Sequence, residues 1–336
     1  MIDYSRILEL IKKYNTFLIT THVNPDGDAL GSELALAYFL RKLGKKFHII
    51  NYSPTPENYL FLDEENLIQK YNREHDAIIE NVDMIFAVDF NQLGRVRSMM
   101  NVFDRSKAYK IVIDHHRNPQ NFVDDIFTDI EAPATGILIY KLIEAYDVNL
   151  IDKKVADALY AAIMTDTGSF RFERITPELH IITAELIKKG ANPTYIYNKI
   201  YNELSYEKLI LLGHAITNIK LVDSGKIAYM VLDRALLNKF VPNEAEFDVE
   251  GFVNFCLSVK DSIVGILFYE LPYSIKVSLR SKEKFPVNYV AEKFGGGGHL
   301  NAAGIRFDGE NLNDVIQRVI TQTIEDLSKY IEENNA

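Results

Sequence analysis

The stretch that decides the fold is FLITTHVNPDGDALGS, at residues 17–32. Phe17–Thr21 is rich in β-branched and aromatic residues and predicts a strand, because such side chains suit a pleated surface. Gly27–Leu43 then carries apolar residues at helical spacing, and Gly44 is a typical helix stop. A strand, a polar turn and a helix in this order are typical of an α/β fold.

The same alternation continues along the chain as far as Gly190. Further strands are predicted at Phe47–Asn51, Met84–Val88 and Tyr109–Ile113. Helices are predicted at Gly94–Arg105, Thr135–Ala145 and Asp152–Met164, and a further one begins at Thr176-Pro177 and ends at Gly190. Strands that alternate with helices predict a mostly parallel sheet flanked by helices.

A second, smaller α/β domain is predicted after the breaker cluster Gly190-Ala191-Asn192-Pro193. The predicted division is a catalytic domain at 1–190, a helical connector at 191–218 and a substrate-binding domain at 219–336. The connector contains helical patterns at Thr194–Glu203 and Tyr206–Ile216. The last domain has hairpin-like strands at Lys226–Leu232, Ser262–Tyr269 and Tyr273–Leu279. A short helix at Pro286–Phe294 and a long terminal helix from Leu312 follow.

Composition limits the functional classes. The chain has 336 residues, of which 47% are hydrophobic and 25% charged, as expected for a globular protein with a sizeable core. The single cysteine, Cys256, suits a reducing cytoplasm, where we expect the protein. We expect no membrane partner, since the start is not signal-like and no long apolar run occurs. A net charge of −10 argues against wrapping duplex DNA and favours a small local site for any nucleic acid.

Acidic and histidine residues follow the predicted strands of the first domain. In an open parallel sheet, ligands bind beyond the carboxyl ends of the strands. Taken singly, each group has an ordinary interpretation; Pro25-Asp26-Gly27-Asp28, for example, is also a good turn and helix cap. Together they would repel one another without a cation, so their convergence implies metal. The residues concerned are His22, Asp26, Asp28, Asp89, Asp114, His115, His116 and Asp166, the last after a helix.

Charge counting favours two divalent ions. The four aspartates Asp26, Asp28, Asp89 and Asp166 are balanced by two divalent cations, because neutral imidazoles add no charge. Mixed imidazole and carboxylate ligands favour Mn²⁺, with Zn²⁺ or Fe²⁺ as alternatives, over Mg²⁺. Two metal ions about 4 Å apart are suited to in-line phosphoester hydrolysis.

The second domain carries a glycine run, Gly295–Gly298, followed by His299 and the small residues Ala302-Ala303-Gly304. Such a run is either a flexible tether or a loop that lets backbone amides approach an anion; its place inside a domain favours the loop. Arg280 ends the predicted strand Tyr273–Leu279. It is either a surface arginine or the phosphate-binding group that an acidic protein needs.

These residues together resemble the DHH phosphoesterase family, in its two-domain form with a DHH-associated C-terminal domain. The resemblance covers nearly the whole chain and rests on five motifs in order: His22 with Asp26-Gly27-Asp28 and Gly31-Ser32, then Asp89, then Asp114-His115-His116, then Asp166, and finally Gly296-Gly297-Gly298-His299 with Ala302-Ala303-Gly304. The resemblance is greatest to the nanoRNase and 3′-phosphoadenosine-5′-phosphate (PAP) phosphatase group.

The resemblance implies a role for each matching residue. One metal ion is expected at His22, Asp26 and Asp89, and a second at Asp28, Asp89, His115 and Asp166, with Asp89 bridging. His116 is expected to face the scissile phosphate, and Asp114 to orient a histidine. The expected substrate-binding residues are Arg280, Ser281, Gly296, Gly297, Gly298, His299 and Arg95, for which Arg97 is an alternative.

The implied activity is Mn²⁺-dependent hydrolysis of very short oligonucleotides to mononucleotides. The resemblance does not decide between linear dinucleotides, PAP and cyclic di-AMP products as the substrate. It also does not decide whether the protein forms a homodimer. Alternatives are a RecJ-like single-strand exonuclease, which shares the first domain, and a manganese pyrophosphatase, whose second domain lacks the glycine signature. A nucleotide-binding regulator without turnover is the alternative from a different class.

Overall fold

The computed structural model describes residues 2–172, 174–240, 247, 249–282 and 284–335. The chain forms two compact units, Met1–Glu203 and Leu204–Ala336. The boundary between them lies inside the segment 191–218, for which the sequence predicts a helical connector. The division of the chain into domains at 1–190 and 219–336 stays a prediction.

The first unit is built on a parallel sheet, as the sequence predicts. Its strands run in the order β3-β2-β1-β4-β5-β6, and every neighbouring pair is parallel. Strands β2 and β3 lie on one side of β1, and strands β4 to β6 lie on the other side. The direction in which strands are added therefore reverses between β1 and β4. Ligands of open sheets bind at such a point. The strands are β1 Thr16–Thr20, β2 Lys46–Asn51, β3 Ile68–Lys70, β4 Met84–Val88, β5 Tyr109–Asp114 and β6 Asp125–Thr128.

Helices cover both faces of this sheet and bury it in two apolar clusters. Successive β1 residues therefore alternate between clusters: Phe17 and Ile19 pack in one and Leu18 in the other. Burial on both faces explains why this strand is continuously apolar. The helices are α1 Tyr4–Lys13, α2 Gly27–Lys42, α3 Asp76–Asn81, α4 Met100–Arg105, α5 Thr135–Asp147, α6 Lys153–Asp166, α7 Pro177–Lys188 and α8 Pro193–Tyr197.

Short tight turns link several of these elements. The helix predicted at Gly94–Arg105 is wrong in its first half, where Leu93–Met99 is a 3₁₀ segment interrupted at Arg97, whose φ is 51°. Helix α7 begins as predicted: Pro177 occupies the first turn, and the Thr176 hydroxyl accepts from the Leu179 amide. Other short segments are 3₁₀ turns at Glu57–Leu62, Arg73–His75 and Val148–Leu150, and a π turn at Asn198–Asn202.

Glycines allow α2, α5 and α6 to approach closely. A Cβ at Gly31 of α2 would lie 2.3 Å from the carbonyl oxygen of Ala158 on α6. A Cβ at Gly136 of α5 would lie 2.7 Å from the Cβ of Ala162 on α6. No real side chain fits at such distances, so the packing of these three helices depends on the glycines. The helix ends that carry polar residues are thereby held at the same edge of the sheet.

The second unit contains a mixed sheet in the order β11-β12-β10-β9-β8-β7. Strands β8 and β9 are parallel, and the other neighbouring pairs are antiparallel. The expectation of hairpin-like strands therefore fails for β8 and β9. The strands are β7 Lys220–Val222, β8 Ile227–Leu232, β9 Val264–Glu270, β10 Ser274–Ser281, β11 Gly297–His299 and β12 Ala302–Asp308, with a 3₁₀ turn at Asp223–Gly225.

Helices complete the second unit. They are α9 Tyr206–Thr217, α10 Arg234–Phe240, α11 Phe252–Leu257, α12 Val287–Glu292 and α13 Leu312–Asn335. Helix α11 lies in the connection between the parallel strands β8 and β9 and buries Cys256 in an apolar cluster, in agreement with a packing role for this thiol. Across the described part of the chain, no helix combines the length and apolarity that a membrane crossing requires.

The glycine contacts predict opposite effects for two substitutions. We expect Gly31→Ala to destabilise the protein by about 2 kcal/mol or more, because the new methyl group overpacks the contact with α6. Gly213 lies inside α9, and no described atom lies within 4 Å of its added Cβ. Gly213→Ala should therefore stabilise its helix by roughly 0.5–1 kcal/mol. Calorimetric unfolding of both variants measures the two shifts, and a neutral Gly31→Ala would contradict the close packing.

Candidate metal centre

The carboxyl ends of three strands of the first unit bring the predicted ligands together. His22 follows β1, Asp89 follows β4, and His115 follows β5. Asp26 and Asp28 lie at the start of α2, and Asp166 is the last residue of α6. Within the described residues, the donor atoms of each of three groups lie within 4.8 Å of one another: His22, Asp26 and Asp89; Asp28, His115 and Asp166; and Asp89, His115 and His116.

Asp89 lies between the two histidines that follow the outer strands of this set. Its Oδ2 is 3.5 Å from His22 Nε2, and its Oδ1 is 3.7 Å from His115 Nε2. The residue has a φ of 64°, which only a few per cent of non-glycine residues adopt. Its amide donates to the Ile113 carbonyl (3.0 Å), and its Oδ1 accepts from the Thr135 hydroxyl (2.7 Å). These contacts fix the carboxylate so that each oxygen faces a different group.

The amino end of α5 holds Asp28. The amides of Thr135 and Gly136 donate to its two carboxylate oxygens at 2.6 and 2.8 Å, and the Ser32 hydroxyl donates to Oδ1 at 3.1 Å. Unpaired amides at a helix start favour negative charge. The carboxylate is therefore fixed with Oδ2 at 3.8 Å from His115 Nε2.

Both ligand histidines are oriented by main-chain carbonyls. The Nδ1 of His22 lies 3.0 Å from the Val23 carbonyl oxygen, and the Nδ1 of His115 lies 3.0 Å from that of Ala132. A carbonyl accepts only from a protonated nitrogen, so each ring carries its proton on Nδ1 and presents Nε2 to the carboxylates. This is the usual arrangement of metal-binding histidines.

The electrostatics of the cluster call for positive charge. Burial raises the pKa of Asp28, raises that of Asp89 well above its usual range and raises that of Asp166 to about 7. Burial opposes the charge on His115, but Asp166, Asp28 and Asp89 together raise its pKa to about 9. Burial is the main cause of the carboxyl shifts, and neighbouring aspartates add to it. Divalent cations would offset both effects, and carboxylate and imidazole donors are suitable ligands for them.

His116 and Asp114 form a separate pair beside this cluster. The His116 Nδ1–H donates to Asp114 Oδ1 at 2.6 Å, and the His116 amide donates to the other oxygen at 3.0 Å. Asp114 is fully buried, and although burial opposes its charge, the bonds from His116 lower its pKa. His116 Nδ1 is also 3.9 Å from Asp89 Oδ1, but Asp114 already accepts its proton. The pair is therefore arranged to orient an imidazole.

Arg95 lies close to the cluster in the 3₁₀ segment after β4. Its guanidinium interacts electrostatically with Asp89 and Asp26, and its carbonyl accepts from the Val23 amide at 2.8 Å. The alternative, Arg97, lies close enough to affect Arg95 electrostatically. Arg95 is thus the arginine that the structure ties to the loop carrying His22.

The predicted substrate residues of the second unit lie on β10, β11 and the segment before β11. Arg280 is inside β10, and the strand continues to Ser281. Ser281 is buried; its hydroxyl donates to the Phe285 carbonyl at 2.6 Å and accepts from Asn301 Nδ2 at 2.9 Å. Its side chain therefore holds the loop after β10. The position of the His299 side chain lies outside the described part of the chain, so its role stays a prediction.

The glycine run is not a loop throughout, contrary to the expectation. Gly297 and Gly298 belong to β11 and pair with Gly304 and Ala303 of β12. A Cβ at Gly296 or at Gly298 would lie 2.3 Å from a carbonyl oxygen of β12, so close strand packing accounts for these two glycines. By contrast, no described atom lies within 4 Å of a Cβ at Gly297, and that glycine needs another explanation.

Sequence reasoning missed the residues that hold the ligands. Thr135 binds both Asp28 and Asp89, and the buried Asn91 donates to the His116 carbonyl at 2.8 Å. Asn51, at the end of β2, accepts from the Thr21 amide next to His22. Ala134-Thr135-Gly136, small residues at a helix start, was the signal that could have revealed the first of these. The other two carry no local signal.

The chain is similar to known proteins along most of its length. A Thermus thermophilus protein named "Bifunctional oligoribonuclease and PAP phosphatase NrnA" is 29% identical over 93% of this chain and 90% of its own. The crystal structure of an exopolyphosphatase-related protein from Bacteroides fragilis is 33% identical, with a TM-score of 0.89 over 97% of this chain and 96% of the other. RecJ from Thermus thermophilus, in complex with Mn²⁺, shares only the fold: 12% identity and a TM-score of 0.52, over 94% of this chain and 53% of RecJ.

Family profiles cover both units. Residues 16–163 match the N-terminal domain of the DHH family, and residues 237–326 match the DHHA1 domain. The first match begins with β1 and ends inside α6, so it contains all the candidate metal ligands except Asp166. The chain belongs to the DHH family, in the form that carries a C-terminal DHHA1 domain.

Proposed function

We propose that the chain is a two-metal phosphoesterase that hydrolyses very short oligonucleotides, such as linear dinucleotides and nanoRNA, and releases mononucleotides. PAP and cyclic di-AMP products are further candidate substrates of the same site. The observation that carries the proposal is the position of Asp89. It belongs to the group His22–Asp26–Asp89, and it also lies next to His115 of the group Asp28–His115–Asp166. The name of the Thermus thermophilus relative supports the substrate class.

Each of the two groups would hold one divalent ion, with Asp89 shared between them. Mn²⁺ is the metal that we propose, because the donors mix imidazole nitrogen with carboxylate oxygen. When bound, such ions supply Lewis-acid activation of the phosphoryl group and of an attacking water. The ions would offset both the burial and the neighbouring negative charge that raise the pKa values of these carboxyl groups.

The remaining residues of this site would orient the substrate. We propose that His116 faces the scissile phosphate, because Asp114 fixes the ring through Nδ1 and keeps it beside the cluster. A histidine that is fixed in this way loses little freedom when it meets an anion. Arg95 supplies a positive charge near the same carboxylates, where an incoming phosphate needs compensation.

Arg280, Ser281 and the segment Gly296–His299 would bind the substrate and not the metals. Burial lowers the pKa of the Arg280 guanidinium, with Glu250 opposing the shift. Among the described residues, the only hydrogen bond of this guanidinium joins Nη1 to the Leu279 carbonyl at 3.0 Å. A desolvated guanidinium with unused donors is suited to a phosphate. Ser281 would contribute by holding the loop after β10.

Two alternatives remain distinguishable by experiment. A RecJ-like exonuclease shares the fold and would prefer long single strands. A nucleotide-binding regulator would bind ligand without turnover, but it has no need for two adjacent sets of metal donors, joined by the approach of Asp89 to His115 at 3.7 Å. We also propose a cytoplasmic location, which suits the single buried thiol of Cys256. A homodimer stays a prediction that sedimentation can test.

Metal dependence is the first test. Asp89→Asn should lower turnover by several orders of magnitude and reduce the bound metal, because the carboxylate serves both groups. In the wild type, excess chelator should abolish activity, and Mn²⁺ should restore it and raise the unfolding temperature. Elemental analysis, turnover and thermal unfolding measure these effects. Full activity of demonstrably metal-free protein would refute the mechanism.

Substrate binding by Arg280 is the second test. Arg280→Ala should lower kcat/KM for dinucleotides by a factor of roughly thirty to a thousand, since a lost charge-assisted phosphate contact costs about 2–4 kcal/mol. It should keep its metal and much of its slow activity on bis-p-nitrophenyl phosphate, which has no second phosphate or base to bind. Arg306, on the neighbouring strand β12, is exposed and pairs with Asp308, so Arg306→Ala is the matched control. Equal losses in both variants would contradict the assignment.

Substrate length separates the proposal from the exonuclease alternative. A single strand of about 24 nucleotides should not outcompete a dinucleotide, because a chain with net charge −10 offers little support to an extended phosphate backbone. Competition assays at fixed dinucleotide concentration measure this preference. If the long strand is the better substrate, the RecJ-like activity takes the place of the present proposal.

A further inference from the structure

Glu33 is a buried carboxyl group that the proposed mechanism does not use. It lies on α2 and is completely inaccessible to solvent. Its Oε1 accepts from Asn51 Nδ2 at 2.8 Å, and its Oε2 has no hydrogen-bond partner among the described atoms. A buried carboxyl group without a cation is costly, and burial raises its pKa well above the usual range. Such a group calls for an explanation.

The Asn51 carboxamide connects Glu33 to the end of β1. Its Oδ1 lies 3.0 Å from the Thr21 amide nitrogen and 3.5 Å from the Thr20 hydroxyl. An amide N–H only donates, so Asn51 must present its oxygen to Thr21 and its NH₂ group to the other side. The Glu33 oxygen accepts from that NH₂ group. Glu33 therefore fixes which way the carboxamide points.

Thr21 carries the same network to the next strand. Its hydroxyl donates to the Val88 carbonyl at 2.8 Å. Thr21 directly precedes His22, and Val88 directly precedes Asp89. The contacts thus join the ends of β2, β1 and β4 just before two members of the group His22–Asp26–Asp89. In the described structure, no hydrogen bond from Glu33, Asn51 or Thr21 reaches Asp28, His115 or Asp166.

We propose that Glu33 and Asn51 are positioning residues for the metal site formed by His22, Asp26 and Asp89, and that they act on this site and not on the one formed by Asp28, His115 and Asp166. The inference rests on the proposed function, since it assumes that both groups bind metal. Glu33 acts through the orientation of Asn51, which holds the Thr21 peptide and with it the backbone that carries His22. Replacing a residue that orients a metal ligand typically lowers metal affinity by about 10- to 100-fold.

A purely structural role predicts a different result. Glu33→Met removes the cost of burying the carboxyl group but leaves the buried Asn51 NH₂ group without its acceptor, so some loss of folding stability is expected under either role. If Glu33 served only the core, its replacement would change the unfolding temperature and leave the two metal affinities equally affected. If it serves the metal site, one affinity falls and the other is kept, whatever the change in folding stability.

The experiment compares Mn²⁺ binding to metal-free wild type, Glu33→Met and Glu33→Gln by calorimetric titration. Wild type should bind two ions. Glu33→Met should weaken one of them by about 10- to 100-fold and leave the other unchanged. Glu33→Gln keeps an acceptor oxygen for Asn51 and should retain most of the affinity. The coupled Mn²⁺ pair, observed by electron paramagnetic resonance, should give way to a single-ion signal in Glu33→Met at limiting metal.

A matched control is Asp63→Asn. Asp63 is also a buried carboxylate of the first unit, but it accepts from the Leu67 and Ile68 amides at 2.8 and 2.9 Å; it acts on Glu33 only through its charge and makes no hydrogen bond in the network. Asp63→Asn should change stability and leave both affinities unchanged. Asn51→Leu, which keeps the approximate volume and removes the bonds to Glu33 and Thr21, gives a second variant should Glu33→Met fail to fold; it should weaken the same ion.

The outcomes are distinct. Equal weakening of both ions, or a loss in Glu33→Gln as large as that in Glu33→Met, overturns the positioning role. The same result in Asp63→Asn as in Glu33→Met also overturns it, because any buried carboxyl would then matter equally. Failure of the wild type to bind two ions instead overturns the proposed function itself, and the inference with it.

Discussion

Repulsion between buried carboxylates is the constraint on which the first unit depends. Asp28 and Asp89 are almost fully buried, and Asp166 and Asp26 lie close enough to add to the negative potential around them. The fold compensates part of this charge with the amides at the start of α5, the Thr135 hydroxyl and two imidazoles. The amides and the hydroxyl carry no full charge, and His115, whose pKa is raised to about 9, supplies one positive charge against four aspartates, so added cations would stabilise the site.

Close helix packing is what brings these carboxylates together. Asp28 and Asp166 lie at the ends of helices whose approach depends on Gly31 and Gly136, where a methyl group would collide with α6. A looser arrangement would relieve the repulsion but would separate the donors beyond the reach of one ion. The close helix packing at the glycines therefore opposes the repulsion between the carboxylates. Packing has the larger effect because dispersion contacts and apolar burial extend over three helices. Functional sites commonly carry such a cost in stability.

The sequence predicts that the candidate ligands lie together, because parallel strands place their carboxyl ends at one edge of the sheet. A polar residue after each strand therefore locates the candidate site without knowledge of strand order. The sequence does not reveal the supporting residues, since their partners are remote: Thr135 and Asp28 are separated by 107 positions, and Asn51 and Thr21 by 30. The glycine run illustrates a different limit. Flexible loops and closely packed strands both demand glycine, and only the pairing of β11 with β12 decides between them for Gly296 and Gly298.

An acidic protein that hydrolyses an anion has to confine its positive charge to a few places. With a net charge of −10, the long-range field repels polyphosphates, so the proposed function requires short-range attraction, for which bound cations, Arg95 and Arg280 are the proposed groups. The Arg280 guanidinium uses one donor in its bond to the Leu279 carbonyl, and the proposed function assigns its remaining donors to an anion. Binding energy is then concentrated on one or two phosphates, and each additional nucleotide meets a surface that is negative on average. The same charge distribution that permits specific binding of a short substrate therefore works against a long one.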